Sequence, residues 1–378
     1  MVEPYIILLA LLTVWTAVYI SSMFLPFKKY GIEATPLYML FKTERFNKLL
    51  SRIAEKNQRF WRIFGNIGII AAALEIPLAL YYLASNLQRF IYIPTEASPI
   101  VPVLPGITIS FEWVPYILIA IGLAITSHEM AHGILSFLEK IPVKSSGIII
   151  APITFGGFVE PDQEVFDKSR LSSKLRVLAS GSLTNLVIGF LTLLLLIALF
   201  VPSSGVLVMA VPESGPAYAA GIRQWDVIYS INGHDTRNVG ALTQYMVAVG
   251  PGAPLTLVTS RGLKSIVTIA APENSSRGIM YIQNLVDYTS MRVGEVSSQI
   301  SYHLFMTLNW TYLLMISLSI FNMLPLFPFD GEACIYSILK AKLKTGLKVS
   351  RIAINALSLF LLVSNIGLTF IRYGLTPL

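Results

Sequence analysis

The sequence predicts a polytopic α-helical membrane protein with about six transmembrane helices. Hydrophobic residues make up 54% of the 378 residues and charged residues 13%, whereas soluble domains carry about 25% charged residues. The apolar residues are gathered into runs of about 20 residues, which is the length that a helix needs to cross a bilayer. These runs cover residues 5–25, 63–84, 113–138, 177–201, 302–324 and 352–371.

The distribution of basic residues orients these spans. Of the 28 Lys and Arg residues, 20 lie in segments 26–62, 139–176 and 331–351, which the positive-inside rule assigns to the cytoplasm. The N-terminus and the long segment 202–301 are then extracytoplasmic. The net charge of +7 is explained by this topology, so we expect no nucleic-acid partner. We expect a multi-pass protein of a prokaryotic cytoplasmic membrane, in contact with the lipid bilayer.

The N-terminal region, residues 1–112, is expected to hold two spans joined by a basic interfacial segment. The first four residues include no Lys or Arg, and the first apolar run is too long for the core of a cleaved signal peptide. Between the two spans, apolar residues from Phe46 to Phe64 recur at helical spacing opposite Lys and Arg. This pattern fits a helix in the lipid headgroup plane and, equally, a solvated helix packed on the protein. Glu75, inside the second span, is expected to be hydrogen-bonded within the bundle rather than catalytic.

Three ionisable residues interrupt the third apolar run, at His128-Glu129-x-x-His132. His128 and His132 are one helical turn apart and share a face, with Glu129 about 100° round. Ionisable side chains inside a span are costly unless they are paired, metal-bound or bathed in a cavity. Two histidines at this spacing with a glutamate between them are typical of a Zn²⁺ site, where Glu129 acts as the general base on water. The structural alternative is a polar pair hydrogen-bonded between packed helices.

Two short β-prone runs with turn residues between them follow the third span, from Lys144 to Glu160. They predict a β-hairpin rather than another span. Because the hairpin leaves a helix end inside the membrane, it can dip into the bilayer, and its edge strand could hold an extended peptide beside the metal. Gly156, Gly157 and Phe158 are the candidate substrate-binding residues. A surface hairpin that only connects two spans is the alternative.

The fourth apolar run begins with small and polar residues, from Ala179 to Asn185, which allow helices to pack closely. Packing is the default role of this stretch. Asn185 could also orient a metal ligand through a hydrogen bond, and it is a further candidate substrate-binding residue.

Residues 203–275 differ in kind from the rest of the chain. Charged residues return, apolar runs shorten, and Gly or Pro turns recur about every ten residues. Strands are predicted at 205–211 and 255–259, a strand followed by a turn at 226–233, and a short helix at 239–249. About 70 residues suffice for one small domain, so we expect an inserted extracytoplasmic α/β domain.

The fifth span ends in Asn322-x-x-Pro-x-x-Pro-x-Asp330-Gly331, where two prolines break the helix at membrane depth. A catalytic zinc site needs three protein ligands and an open fourth position, and Asp330 is the best candidate for the third ligand. The third and fifth spans are expected to run in the same direction, so the two motifs can meet near their cytoplasmic ends. An Asp-Gly turn that caps a helix at the interface is the alternative. The single cysteine, Cys334, excludes a disulfide framework and a multi-cysteine zinc cluster.

With these two motifs the chain resembles the site-2 protease family of intramembrane zinc metalloproteases. The resemblance implies that His128, His132 and Asp330 ligate zinc and that Glu129 is the general base. It also implies that Asn322 helps to hold the substrate or its tetrahedral intermediate.

Two further stretches support the resemblance. Gly156-Gly157-Phe158-Val159 looks like the glycine-containing membrane β-hairpin of the family. The stretch Gly181-Ser-x-x-Asn185 is similar to its Gly-Pro-x-x-Asn element, with serine in place of proline.

Residues 203–275 look like a PDZ domain of the type that is inserted in many such proteases. The run from Ser214 to Gly233 carries most of that match. A glycine normally precedes the aspartate at 226, whereas here Trp225 does, and a tryptophan disfavours the positive φ that glycine adopts. Domains of this type filter substrates by size or bind C-termini, so a peptide ligand of the PDZ-like domain is expected.

The sequence therefore predicts a zinc-dependent endopeptidase that cleaves transmembrane segments of single-span membrane proteins, as in regulated intramembrane proteolysis. Two alternatives use the same residues differently, namely a zinc transporter or metal-dependent scaffold, and an inactive adaptor that captures peptides through the PDZ-like domain. Five regions are expected: 1–112 with the N-terminal spans, 113–202 with the first half of the catalytic core, 203–275 as the PDZ-like domain, 276–340 with a linker and the second half of the core, and 341–378 with the C-terminal span.

Overall fold

The computed structural model describes residues 4–104, 108–151, 154–272, 274–294 and 296–374. Pro152 and Ile153, in the expected turn of the hairpin, lie outside the described residues. The chain divides into two compact units, and each is described by itself. The membrane unit comprises Met1–Leu191 and Trp310–Leu378, and the inserted unit comprises Thr192–Asn309.

The helices and strands follow one another as α1 (Pro4–Phe24), β1 (Ile32–Ala34), β2 (Met39–Lys42), α2 (Glu44–Lys56), α3 (Gln58–Tyr92), α4 (Val114–Leu138), β3 (Val143–Ala151), β4 (Thr154–Pro161), α5 (Gln163–Lys168), α6 (Leu171–Leu199), β5 (Phe200–Ala210), α7 (Pro216–Ala219), β6 (Val227–Ile231), β7 (His234–Asp235), α8 (Val239–Met246), β8 (Pro254–Thr259), β9 (Gly262–Val267), β10 (Ile269–Ala271), β11 (Asn274–Ile279), β12 (Gln283–Met291), α9 (Ser298–Asn322), α10 (Asp330–Lys342) and α11 (Leu347–Tyr373).

Five helices in the described part of the chain are long and apolar enough to cross a membrane, which confirms a polytopic membrane protein. They are Gln58–Tyr92, Phe111–Leu138, Leu171–Leu199, Ser298–Asn322 and Leu347–Tyr373. Each of these helices contains or overlaps one predicted span. The first predicted span falls on α1, of which Leu12–Phe24 is a shorter apolar helix, so the count of six spans stays a prediction.

Local sequence explains where α4 begins and ends. Pro115 lies in its first turn, where the missing N–H has no intrahelical partner to lose. The helix ends at Leu138, and Lys140 then adopts a φ of 60° that turns the chain into β3. Ala120 and Ala124 are fully buried in α4, and such small side chains allow neighbouring elements to approach closely.

The hairpin predicted after α4 belongs to a larger sheet. Its strands β3 and β4 pair antiparallel, and β2 and β1 extend the sheet in the order β1-β2-β3-β4. The two added strands come from the segment between α1 and α2. They are three and four residues long, which is too short for an alternating pattern to reveal them in the sequence. β4 remains an edge strand of this sheet.

The apolar side of α2 packs on α4. Leu50 and Ala54 are buried in one cluster with Ile134 and Leu135 of α4. On the other side of α2, Lys48, Arg52 and Lys56 are exposed. This packing favours the second interpretation of the basic segment, a helix packed on the protein.

A buried polar contact joins α3, α6 and α9. Oε1 of Glu75 lies 3.0 Å from Oγ of Ser319, which lies 2.8 Å from the carbonyl oxygen of Ser182. A serine hydroxyl carries one proton, so Ser319 can donate to only one of these oxygens. The prediction that Glu75 is hydrogen-bonded within the bundle is confirmed.

The inserted unit is built on an antiparallel sheet in the order β12-β5-β6-β8-β9, with β7 beside β6 and with a separate β10-β11 pair. Fully buried Val206, Ile228 and Leu257 form its core with Leu242 from α8. Because β12 pairs with β5, the unit reaches beyond the 203–275 expected from the sequence.

Trp225 adopts the left-handed backbone conformation, with φ at 72°. Such a φ costs roughly 1–3 kcal/mol for a residue other than glycine. The N–H of Trp225 donates to the carbonyl of Val208 at 2.8 Å, and its carbonyl accepts from Oγ of Ser298 at 2.5 Å. Its ring lies 5.8 Å from the ring of Tyr302 and 5.3 Å from that of His303. These contacts hold the turn in the conformation that a glycine would take without cost.

Candidate metal centre

α4 presents His128 and His132 on one face, one turn apart. Their ring centroids are 4.6 Å apart at 81°, and their side chains are 9% and 11% exposed. Imidazoles this deeply buried need a polar partner for each ring nitrogen, since an unpaired polar group in an apolar setting costs free energy.

Asp330, the first residue of α10, supplies that partner from a distant part of the chain. Its Oδ2 lies 3.0 Å from Nε2 of His128 and 3.2 Å from Nε2 of His132, and the two Nε2 atoms are 3.0 Å apart. The structure therefore brings together the three residues that the sequence marked as metal ligands.

This triangle of atoms fits a zinc ion. Four atoms that bind zinc tetrahedrally at 2.0–2.2 Å are about 3.3 Å from one another, close to the observed separations. Two nitrogens and a carboxylate oxygen are ligands that zinc accepts. Glu129 contributes a carboxylate oxygen within 4.8 Å of a ring nitrogen of each histidine, which leaves space for a small molecule between them.

The hydrogen-bond partner of Nδ1 in each histidine determines whether Nε2, which faces Asp330, carries a proton or a free lone pair. Nδ1 of His132 lies 2.7 Å from the carbonyl oxygen of Val177 on α6, so Nδ1 carries the proton and Nε2 is free to bind a metal. Nδ1 of His128 lies 3.5 Å from the side-chain amide of Asn185. Oδ1 of the same amide lies 3.4 Å from Oγ of Ser127, so Asn185 contacts both α4 residues and helps to orient the His128 ring.

Gly181 allows α6 to approach His128. A Cβ atom on Gly181 would lie 2.5 Å from Nε2 and Cε1 of His128. A side chain at this position would therefore displace the ring. The Gly181 to Asn185 stretch combines close helix packing with a polar contact to a ligand.

The segment between α9 and α10 delivers Asp330 to the histidines. Met323 and Leu324 are buried, and Leu324 N–H donates to the carbonyl of Phe321 at 3.0 Å while Phe329 N–H donates to Leu326 at 2.9 Å. A Cβ on Gly331 would overlap the carbonyl of Met323. The glycine after Asp330 is thus required by the close fold of this segment.

The hairpin lies against the face of α4 that carries Thr126 and Glu129. N–H of Gly157 donates to Oγ1 of Thr126 at 3.1 Å, and N–H of Val159 donates to Oε2 of Glu129 at 3.2 Å. Both donors sit on β4, so side chains of α4 occupy two edge donors of this strand. A Cβ on Gly156 would lie 2.5 Å from Ile125, which explains the glycine in a strand that packs flat on a helix.

A cavity of about 270 Å³ opens beside His128 and Asp330. It is lined from α4, α6, α9 and the segment before α10, by Ala124, Ile125, His128, Glu129, Asn185, Leu318, Asn322, Pro328, Phe329 and Asp330. Asn322 and Asn185 bring amide groups to its wall. Gly156, Gly157 and Phe158 are not among the lining residues. Gly157 is hydrogen-bonded to Thr126, which lies two residues before His128 on α4.

Sequence reasoning missed the contributions made by backbone and by apolar side chains. The carbonyl of Val177 orients His132, but a valine carries no signal for that role. Thr126 binds the hairpin edge, and its position two residues before His128 was the hint that the sequence offered. Leu318 lines the cavity because it lies about one turn before Asn322 on α9.

Comparisons with known proteins agree with this site. The model of Peptidase family M50 matches residues 116–364, which include both ligand motifs. Over 334 residues the chain is 26% identical to an uncharacterized protein of Methanocaldococcus jannaschii, covering 86% of this chain and 83% of that protein. Over 209 residues it is 22% identical to the membrane-bound transcription factor site-2 protease homolog of Arabidopsis thaliana, covering 53% of this chain and 40% of that protein.

One solved structure is similar to a smaller part. The PDZ domain of the SdrC-like protein from Listeria monocytogenes aligns with 21% of this chain, over 86% of its own length, at 20% identity and a TM-score of 0.20. The family match spans more than half of the chain and contains His128, His132 and Asp330. The chain therefore belongs to Peptidase family M50, the site-2 protease family of metallopeptidases.

Proposed function

We propose that this chain is a zinc-dependent intramembrane endopeptidase that cleaves the transmembrane segments of single-span membrane proteins, as in regulated intramembrane proteolysis. One observation carries the proposal. Oδ2 of Asp330 and the Nε2 atoms of His128 and His132 meet within 3.2 Å in a cavity among apolar helices. A metal-ligand set in such a place is costly to maintain unless it serves a reaction.

His128, His132 and Asp330 would hold the zinc ion. Zinc in that position would polarise the scissile carbonyl and lower the pKa of water to about 7. Glu129 takes the proton from the attacking water and passes it to the leaving amine, since its carboxylate faces the same space. Asn322 donates a hydrogen bond to the carbonyl oxygen that gains negative charge during attack.

The substrate has to unwind before it can be cut. In a helix every carbonyl is hydrogen-bonded and shielded, and in lipid the freed backbone groups need new partners. β4 offers them as an edge strand, with Gly156, Gly157 and Phe158 along the substrate and Asn185 at the cavity wall. A substrate strand that bonds to β4 replaces Thr126 and Glu129 as acceptors of the Gly157 and Val159 N–H groups.

The distribution of charge supports the proposed orientation in the membrane. We place the chain in a prokaryotic cytoplasmic membrane, with the segments that hold 20 of 28 basic residues in the cytoplasm. The inserted unit then lies on the extracytoplasmic side, where a PDZ-like domain would bind a peptide ligand and select substrates.

The variant Glu129→Gln tests the reaction. It removes the base but keeps the size of the side chain, so cleavage of a single-span reporter in proteoliposomes is lost while bound zinc stays at the parent level. Glu112→Gln, at the other end of the same span, is the matched control and cleaves like the parent. Cleavage by Glu129→Gln at the parent rate contradicts the proposal.

Two other results would replace the proposal. Passage of zinc into sealed vesicles without cleavage of any reporter would identify a transporter. Peptide binding that survives chelation, again without cleavage, would identify an adaptor.

A further inference from the structure

We propose that the C-terminal helix α11 is a positioning element for the metal-ligand carboxylate of Asp330. The inference rests on the proposed function, because it concerns the zinc that Asp330 would hold. Asp330 follows an irregular segment, residues 323–329, and irregular backbone at membrane depth needs partners from outside itself.

Two polar side chains of α11 bind the backbone of this segment. Oδ1 of Asn355 accepts the N–H of Phe327 at 2.7 Å. Oγ of Ser358 lies 3.1 Å from the carbonyl oxygen of Pro325 and 2.9 Å from that of Ile354 in its own helix, so the two carbonyls share its one proton. Nδ2 of Asn355 donates to the carbonyl of Arg351 at 2.9 Å, which fixes the orientation of the amide. The segment is therefore held from α11 at two points, three and five residues before Asp330.

A third contact holds the first turn of α10. Nε and Nη2 of Arg351 bond to the two carboxylate oxygens of Glu332 at 2.5 and 3.1 Å. Glu332 is 4% exposed and stands two residues after Asp330. A two-point contact between guanidinium and carboxylate fixes direction as well as distance. The same guanidinium lies 4.2 Å from the ring centre of Tyr336, one turn further along α10.

The three contacts come from one face of α11. Arg351, Asn355 and Ser358 stand at positions i, i+4 and i+7, which line one side of a helix. Leu361 continues that side and is buried in a cluster with Leu324. The face thus binds the chain on both sides of Asp330.

These contacts are expected to affect zinc affinity as well as the stability of the fold. His128 and His132 sit on α4, so the distance from them to Asp330 depends on how α9, α10 and the segment between them are held. Metal ligands have to stay within about 0.5 Å of their working positions, and loss of supporting hydrogen bonds costs about 10–100-fold in metal affinity. Arg351, Asn355 and Ser358 are positioning residues in this sense.

The test measures zinc affinity of the purified full chain against a competing chelator, and melting temperature in the metal-free state. Asn355→Ala and Arg351→Lys remove the loop contact and the two-point contact, and we expect each to weaken zinc binding about 10–100-fold. If Asn355→Ala does not fold, Ser358→Ala is the milder replacement, because it removes only one hydroxyl. We expect this variant to weaken zinc binding as well.

Two controls separate positioning from general helix packing. Lys348→Gln removes a charge from an exposed position in the first turn of α11 and leaves zinc affinity unchanged. Asn365→Ala removes a buried amide of α11 that bonds Asn86 and the carbonyl of Leu83 on α3, so it lowers the metal-free melting temperature but keeps the zinc affinity within about twofold of the parent, because this contact lies away from the ligands.

The proposal is overturned if Asn355→Ala and Arg351→Lys bind zinc as tightly as the parent, or if Asn365→Ala weakens binding as much as they do. A parent chain that binds no zinc overturns the proposed function together with the positioning role. The two failures are distinguishable, since only the second is visible in the parent.

Discussion

Replacing Gly181 with alanine adds one methyl group to α6 against the ring of His128. The added Cβ would lie 2.5 Å from Cε1 and Nε2 and 2.6 Å from Nδ1 of that ring. Carbon atoms in ordinary contact are about 3.5–4.0 Å apart, so the ring or the helix has to move by about 1 Å. The ring cannot turn aside freely, because its Nε2 is within 3.0 Å of both Asp330 and His132.

The size of the effect follows from this displacement. A misplacement of about 1 Å in a site that needs about 0.5 Å can cost 10²-fold. We therefore expect Gly181→Ala to weaken zinc binding, and to slow cleavage, about 10²-fold. Overpacking should also lower the free energy of unfolding by about 1–3 kcal/mol.

Zinc titration against a competing chelator, with cleavage of a reporter measured in parallel, is the assay. Gly189→Ala is the matched control on the same helix, since its Cβ would lie 2.7 Å from Cδ1 of Ile316 and so overpacks away from His128. The control loses stability but keeps the zinc affinity of the parent. The reasoning is refuted if Gly181→Ala binds zinc within about twofold of the parent, or if both variants lose affinity equally.

Three further predictions follow from single contacts. Glu75→Gln keeps the hydrogen bond to Ser319 and melts within a few degrees of the parent. Glu75→Ala leaves Ser319 with one partner fewer, so it lowers the free energy of unfolding by about 1–3 kcal/mol. Equal melting temperatures of the two variants would contradict this. The backbone N–H of Val165 holds the pKa of Asp162 below its ordinary value, so the stability that Asp162 adds is full above about pH 4 and is lost as pH falls through the lowered pKa. The difference in melting temperature between the parent and Asp162→Ala should shrink along that range, and a constant difference would exclude this cause. Saturating zinc at about 100 times its Kd should raise the free energy of unfolding by about 2.7 kcal/mol, and Asp330→Ala should abolish most of that rise in a calorimetric scan.

Much of the fold was predictable because its strongest signals are local. A span shows itself by length and apolar content, and a metal motif by two histidines at helical spacing. β1 and β2 could not be predicted because three or four residues carry no clear period, and the pairing of β2 with β3 is made across more than 100 residues of chain. The extent of the inserted unit could not be predicted for a similar reason, because β12 joins the unit by pairing with β5, which is distant in the chain.

By itself, the sequence determined the chemical identity of the candidate site: two imidazoles and a glutamate on one helix, and an aspartate followed by glycine in a distant stretch, because these depend on residue type and spacing. Only the tertiary structure decided what surrounds them. The carbonyl of Val177 selects the tautomer of His132, and the N–H of Val159 engages Glu129. Asn355 holds the segment that carries Asp330. Backbone groups are the same in every residue, so the sequence cannot reveal which of them will meet a given side chain until the helices and strands have packed.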